Sequence, residues 1–123
     1  MTPIENWARC RHWIEAALGK SDGFETIEDV QKMITTGQYQ FWPGKKSAAI
    51  SEVANFARRK ALIVVHAGGD LKEILTDLEP QMCAFAKSVG CNTIMGNGRK
   101  GWERASAPAG YRFAWLVMMK ELD

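Results

Sequence analysis

The chain has very few of the residues from which the commonest enzyme and metal chemistries are built. Its 123 residues include only two histidines and three cysteines. His12 and His66 are far apart, with no HxxxH or HxH spacing and no companion ligands, so no metal centre is legible. Cys10, Cys83 and Cys91 form no CxxC pair, and each stands among apolar neighbours. They are expected to be reduced, buried thiols of a reducing compartment, with no disulfide framework. The same apolar setting argues against Cys83 or Cys91 acting with His66 as a nucleophile and base, because it raises a thiol pKa and blunts its reactivity. An excess of one charge is missing too. The formal net charge is +2, which does not argue for nucleic acid, and the basic clusters Lys45-Lys46, Arg58-Arg59-Lys60 and Arg99-Lys100 are too short and too poor in aromatics for a single-strand groove. No apolar run approaches the roughly 20 residues that span a bilayer. Glu5 and Arg9 stand where a signal peptide would be apolar, so the expectation is a cytoplasmic protein with no membrane segment. A hydrophobic fraction of 46% beside 24% charged residues excludes a disordered chain, and the length suits one domain that buries its core without staples.

What is present is organised around Lys60 to Gly90. Ala61 to Val65 is an unbroken apolar run of strand length with β-branched members, which predicts the central strand. Gly68 and Gly69 permit a sharp change of direction, and Asp70 can then cap a helix. Leu71, Ile74, Leu75 and Leu78 form one helical stripe. Pro80 can open a second segment, whose stripe is Met82, Phe85, Ala86 and Val89, before Gly90.

Upstream, Thr2 caps a helix with Pro3 in its first turn and Glu5 as the far half of a capping box. That helix buries Trp7, Cys10, Ile14, Ala17 and Leu18 and stops at Gly19. Thr26 and Asp29 open a second helix with Ile27, Val30, Met33 and Ile34 inward, ending before Gly37. Gln38 to Trp42 alternates polar and aromatic as a strand up to the Pro43-Gly44 turn. Ser47 to Phe56 reads as a strand whose phase slips, which predicts a bulge or bend. Downstream, Cys91 to Met95 is a short strand, Gly101 to Ser106 a short helix, and Tyr111 to Met119 alternates as a last strand. Leu62, Val64, Leu75, Phe85 and Trp115 are expected to share one core.

This order of elements covers nearly the whole chain and resembles the Gcn5-related N-acetyltransferase (GNAT) family. The second half carries most of the likeness: Phe85-Ala86-Lys87-Ser88-Val89-Gly90-Cys91, then Gly101-Trp102-Glu103-Arg104, Gly110-Tyr111 and Met119-Lys120-Glu121-Leu122. Gln40-Phe41-Trp42-Pro43-Gly44, Ala67-Gly68-Gly69-Asp70-Leu71 and Gly98-Arg99-Lys100-Gly101-Trp102 are similar to segments of short proteins encoded by phages and prophages. The resemblance implies an α/β (α+β) domain spanning residues 1–123, with a mixed, mostly antiparallel sheet flanked by helices.

It also implies where function would sit. In the family the loop after the central strand reads Gln/Arg-x-x-Gly-x-Gly/Ala, and its amides hold the acyl-CoA pyrophosphate at a helix N-terminus. Here Val65 and His66 stand three residues before the two glycines, and Asp70 puts a like charge where the ligand would lie. The family's frequent acid is a tyrosine four residues before the last strand's glycine, and that position is Ser106, too weak an acid for the role. Trp102 reads as a packing residue. Gly96-Asn97-Gly98-Arg99-Lys100-Gly101 is a literal GxGxxG, but too little chain follows to complete a dinucleotide-binding unit. The leading expectation is therefore a phage-type protein that keeps the acetyltransferase fold as a non-enzymatic scaffold, assembly or binding module, without a cofactor. Its partner would be a protein, such as a virion component or a second copy, bound through Tyr39, Phe41 and Trp42 on an edge strand. The alternative is an acetyl-CoA-dependent N-acetyltransferase in which Gly68, Gly69 and Leu71 offer amides to the cofactor and the acceptor amine lies near Tyr39, Phe41 or Glu52. A third reading is an anion- or nucleotide-binding regulator using Arg99 and Lys100.

Overall fold

The computed structural model describes residues 1–19, 23–98 and 101–122. Both leading helices begin where a side chain can accept an orphan amide. Helix α1 spans Pro3–Leu18, with Thr2 Oγ1 accepting from the Glu5 N–H at 3.1 Å and Pro3 filling a first turn that needs no donor. Helix α2 spans Ile27–Thr35 behind a reciprocal capping box. Asp29 N–H donates to Thr26 Oγ1, and Thr26 N–H returns a bond to the Asp29 carboxylate at 2.9 Å. The Thr26 N–H first, and then the Thr26 hydroxyl, hold the Asp29 carboxyl below its ordinary pKa.

Four strands follow the expected meander: β1 (Tyr39–Pro43), β2 (Ser47–Asn55), β3 (Lys60–Gly69) and, beyond a helical stretch, β4 (Thr93–Gly96). They lie in the order β1-β2-β3-β4, antiparallel except for the parallel β3–β4 pair. Pro43 ends the edge strand β1, where a missing ladder donor is tolerated. The expected phase slip is real, but the additional residue belongs to β3: Ile50 pairs with His66 and Ser51 with Val64, which leaves Val65 as the bulge. Val64 and Ala67 consequently pack on one side of the sheet and Val65 on the other. The central strand also runs further than Val65, carrying its pairing through the glycines to Gly69.

The sheet separates two apolar clusters. Against α1 and α2 lie Cys10, Ile14, Leu18, Ile27, Val30, Tyr39, Ala48 and Ile50. On the opposite face Ala49 and Leu62 meet Ile74, Leu78, Met82, Ala86 and Cys91. The helical stretch on this second face is continuous, with the interruption expected near Pro80 taking the form of a π turn. A short α3 (Leu71–Glu73) runs into the π turn Ile74–Leu78 and on into α4 (Glu79–Ser88). Pro80 has no N–H, and its ring excludes the carbonyl four residues back; widening the preceding turn by one residue accommodates both. A short α5 (Gly101–Ser106) and a 3₁₀ turn (Ala107–Ala109) follow β4.

Two expectations fail. Tyr111 to Met119 forms no strand, and from Arg112 to Leu122 every residue is exposed. Trp115 therefore does not join the core: it is 62% exposed, while Leu62, Val64 and Phe85 do meet in the second cluster. Alternation specifies two faces, but a strand also needs a neighbour's edge, which no local pattern supplies. Leu75 is only half-buried and lines a surface cleft. All three thiols are free, with Cys10 and Cys91 buried and Cys83 half-buried.

Candidate ligand site at the end of the central strand

Gly68 and Gly69 are consumed by packing. A Cβ on Gly68 would overlap the Trp13 carbonyl oxygen of α1, so this residue sets how closely α1 lies on the sheet. Gly69 has φ +96°, and a Cβ there would overlap the Lys46 carbonyl oxygen. The next residue closes the junction: Asp70 N–H donates to that same carbonyl at 2.9 Å.

Carboxylates occupy the helix start. Asp70 Oδ1 accepts from the Glu73 N–H at 3.2 Å as the N-cap. Glu73 turns back over the Pro43–Lys46 turn, where it accepts the Lys46 N–H at 2.9 Å and a short hydrogen bond from the Ser47 hydroxyl. Gly44 lies so close beneath it that a Cβ would strike the Glu73 carboxylate. The Ser47 and Lys46 bonds, in that order, hold the Glu73 carboxyl below its ordinary range. Two negative groups and the adjoining turn therefore sit at the position where the resemblance places a pyrophosphate. Glu73 was not singled out in the sequence because its partners lie 26 and 27 residues upstream.

Beside this junction the sheet opens. β3 and β4 pair up to Val64 and Gly96, Asn97 N–H adds one bond to the Val64 carbonyl at 3.1 Å, and β3 then runs on alone to Gly69 along that edge among the described residues. A shallow cleft of about 490 Å³ lies between the first helical turns and the segment from α5 to the 3₁₀ turn, lined by Leu71, Lys72, Leu75, Thr76, Ala105, Pro108 and Ala109. Leu71 thus faces the cleft next to the glycine pair.

The aromatic edge strand is built differently from the expectation. Tyr39 is buried, and Phe41 and Trp42 are half-buried. Phe41 meets Trp7 edge-on at 5.3 Å, Trp42 meets Phe85 at 5.6 Å, and Trp42 Nε1–H donates to Ser51 Oγ at 2.8 Å. The three rings serve both clusters more than they face outward. Tyr39 belongs to a polar network that sequence spacing did not signal. Its hydroxyl donates to Glu25, whose Oε1 also lies 2.8 Å from His66 Nε2. Burial first, and then Glu25, push the Tyr39 phenol far above its ordinary pKa. This network ties the segment before α2 to the bulge in β3. It also engages both the Tyr39 hydroxyl and the His66 ring with Glu25.

Around the remaining candidates, Trp102 packs against the second cluster, with Gly98 close beneath its ring. Arg99 and Lys100 lie outside the described residues. Ser106 Oγ donates to the Glu103 carbonyl within its own helix. A different phenol reaches α4: Tyr111 O–H points to Glu79 Oε1 at 3.4 Å, and the Cys83 thiol bonds the same oxygen at 2.8 Å. Burial and Glu79 raise both pKa values, that of Cys83 to about 11, which makes this thiol a poor nucleophile. The described residues contain no cluster of ligands able to hold a metal ion, and no described helix is long and apolar enough to cross a membrane.

Two flanking helices, a meander with a bulged central strand, a helix leaving that strand at a glycine turn and a parallel fourth strand that parts from it define the GNAT-like acetyltransferase fold. Solved structures superpose accordingly. An acetyltransferase from Trypanosoma brucei matches with a TM-score of 0.63 at 14% identity, over 91% of this chain and 91% of its own. Glucosamine-6-phosphate N-acetyltransferase from Arabidopsis thaliana matches with 0.61 at 17% identity, over 99% and 95%. A transcriptional regulator from Bacillus halodurans C-125 matches with 0.68 at 11% identity, over 99% and 96%. No protein-family model matches the sequence, and none of the curated proteins does.

Proposed function

We propose that this chain is a non-enzymatic binding or assembly module built on the acetyltransferase fold, working without acyl-CoA. The observation that carries the reading is the occupied helix start: Asp70 caps it and Glu73 is folded back onto Lys46 and Ser47. A pyrophosphate there would have to displace one carboxylate and approach a second, against the preference of a helix N-terminus for a single anion. Lost phosphate contacts together with like charge amount to roughly a thousandfold in affinity. The likeness to short phage-encoded proteins adds a virion component as a candidate partner, and virion genes on both sides of the coding sequence would support it.

A second reading, a divergent N-acetyltransferase, is favoured by one observation: β3 and β4 part beyond Val64 and Gly96, while β3 runs on to Gly69. Titration calorimetry with acetyl-CoA separates the two. The first reading expects no heat of binding below millimolar ligand, with weak binding gained in Asp70→Gly. Micromolar binding by the unaltered protein, competed by CoA and abolished in Gly69→Pro, would put the acetyltransferase first.

A further inference from the structure

The end of β3 opposite the glycine junction carries charge of one sign. No Asp or Glu occurs in residues 53–69 or 80–98, whereas residues 70–79 hold Asp70, Glu73, Asp77 and Glu79. The cations of the acid-free stretches are Arg58, Arg59, Lys60 and Lys87, and the fold gathers them. Phe56 N–H donates to the Arg59 carbonyl at 2.8 Å and closes the β2–β3 turn. Asn92 N–H donates to the Lys60 carbonyl at 3.0 Å, and Lys60 Nζ donates to the Val89 carbonyl at the end of α4. Lys87, in the last turn of α4, is thereby held beside the hairpin. Arg58, Arg59 and Lys87 are exposed, and none of the four cations lies within ion-pair distance of a carboxylate among the described residues. The next carboxylate along β2, Glu52, lies opposite Tyr39. Phe56, in the same turn, is 53% exposed and belongs to neither apolar cluster.

We propose that this end of the molecule docks on an anionic lipid bilayer surface, with the Phe56 ring in the interface and Arg58, Arg59 and Lys87 among the headgroups. The cations call for a polyanion, and two observations choose among polyanions. The cleft beside Leu71 and Leu75 and a second cleft between Phe24 and Gln38 include none of these residues, so the patch offers its charge on an open hairpin end and not in a groove that would hold an acidic peptide. Phe56 supplies the second. A bilayer has an apolar boundary roughly 5–10 Å below its headgroups for the ring to enter, whereas a duplex backbone has none and a single-strand site stacks several bases on several rings. The turn is ready for that place, since the Phe56 N–H is already paired with Arg59. Each basic residue near an anionic surface adds roughly fivefold to affinity, so the three exposed cations together give about a hundredfold preference over a neutral surface. The proposal goes beyond the binding-module reading and does not depend on whether acyl-CoA binds, because the hairpin and the glycine junction lie at opposite ends of β3.

Vesicle co-sedimentation of the full chain tests it. The expected result is binding to phosphatidylcholine vesicles containing about 30% phosphatidylserine, at least ~10-fold stronger than to phosphatidylcholine alone, and lost as salt rises from about 0.1 M to about 0.5 M. The double variant Arg58→Gln with Arg59→Gln should weaken binding by about 25-fold. Phe56→Ser, which leaves the charge unchanged, should weaken it by about 5-fold. Circular dichroism and thermal melts of these turn variants should match the parent. Equal binding to neutral and anionic vesicles would assign the contact to the exposed apolar segment from Phe113 to Met119 and overturn the proposal. So would anionic-vesicle binding that survives the double arginine variant or Phe56→Ser, or binding of a DNA duplex or polyglutamate by a chain that leaves anionic vesicles untouched. Acetyl-CoA calorimetry on the same variants is expected to match the parent, which keeps failure here separate from failure of the non-enzymatic reading.

Discussion

The glycine junction and the C-terminal segment are opposites in how their bonding capacity is used. At the junction, Gly68, Gly69, Asp70 and Glu73 spend their freedom and their polar groups on Trp13, Lys46 and Ser47. From Arg112 to Leu122 the chain keeps its apolar surface in water. A fold can therefore keep the outline of a ligand-binding architecture while the glycines and carboxylates at that place are taken up by internal contacts. The place that resembles a cofactor site is self-satisfied, and the surface with most to gain from a contact lies at the other end of the chain.

Substitutions at the two regions should differ sharply. Gly69→Ala combines a left-handed backbone with a clash against the Lys46 carbonyl, and should cost about 3–4 kcal/mol in denaturant unfolding. If Gly69→Ala unfolds like the parent, the junction is not the tight closure described. Phe85→Ala, under Trp42 in the second cluster, should cost about 3 kcal/mol, or roughly 10 °C in melting temperature; an unchanged melt would remove Phe85 from the core. Glu73→Gln tests the junction electrostatically. Because the folded state lowers the Glu73 pKa from its ordinary 4.5, its contribution is present above that value and is lost as pH falls through the lower folded one. The parent should therefore lose stability on acidification more steeply than the Gln variant, and parallel acid-unfolding curves would count against the Ser47 and Lys46 bonds. The smallest effect belongs to the tail. Trp115→Ser, at a side chain 62% exposed, should change stability by less than about 0.5 kcal/mol. A larger loss there would place Trp115 against the domain in the single chain.

How far each region could be foreseen follows from where its partners lie. The α1 and α2 starts were legible because Thr2, Thr26 and Asp29 bond amides three residues away, although the box expected at Glu5 is only its Thr2 half. β3 was legible because Leu62, Ile63 and Val64 can hardly remain in water, and the slip after Ile50 showed as a break in alternation. The Asp70 cap was equally local. What sequence could not convey was reach. Nothing near Gly68 announces the Trp13 carbonyl, nothing near Glu73 announces Ser47, and the Glu25–His66 contact joins residues 41 apart. The aromatics of β1 were correctly placed at a sheet edge, but their rings turn into both clusters. The Tyr111–Met119 pattern was read as a completed strand when it records only the capacity for one.

The π turn at Ile74–Leu78 acts as an indexing step in a screw. One added residue turns everything before it by about 100° relative to everything after it. That offset lets Leu71 and Leu75 point to the cleft while Ile74, Leu78, Met82 and Ala86 meet the sheet. It also sets the angular position at which Asp70 and Glu73 meet Lys46. Deleting a single residue within the turn, such as Thr76, would restore an unbroken α-helical thread and force a choice between the core contacts after it and the carboxylate contacts before it. Insertions and deletions at this point are therefore a rotational dial on the end of β3. A change in chain length there alters the glycine junction more than replacing any exposed side chain around it.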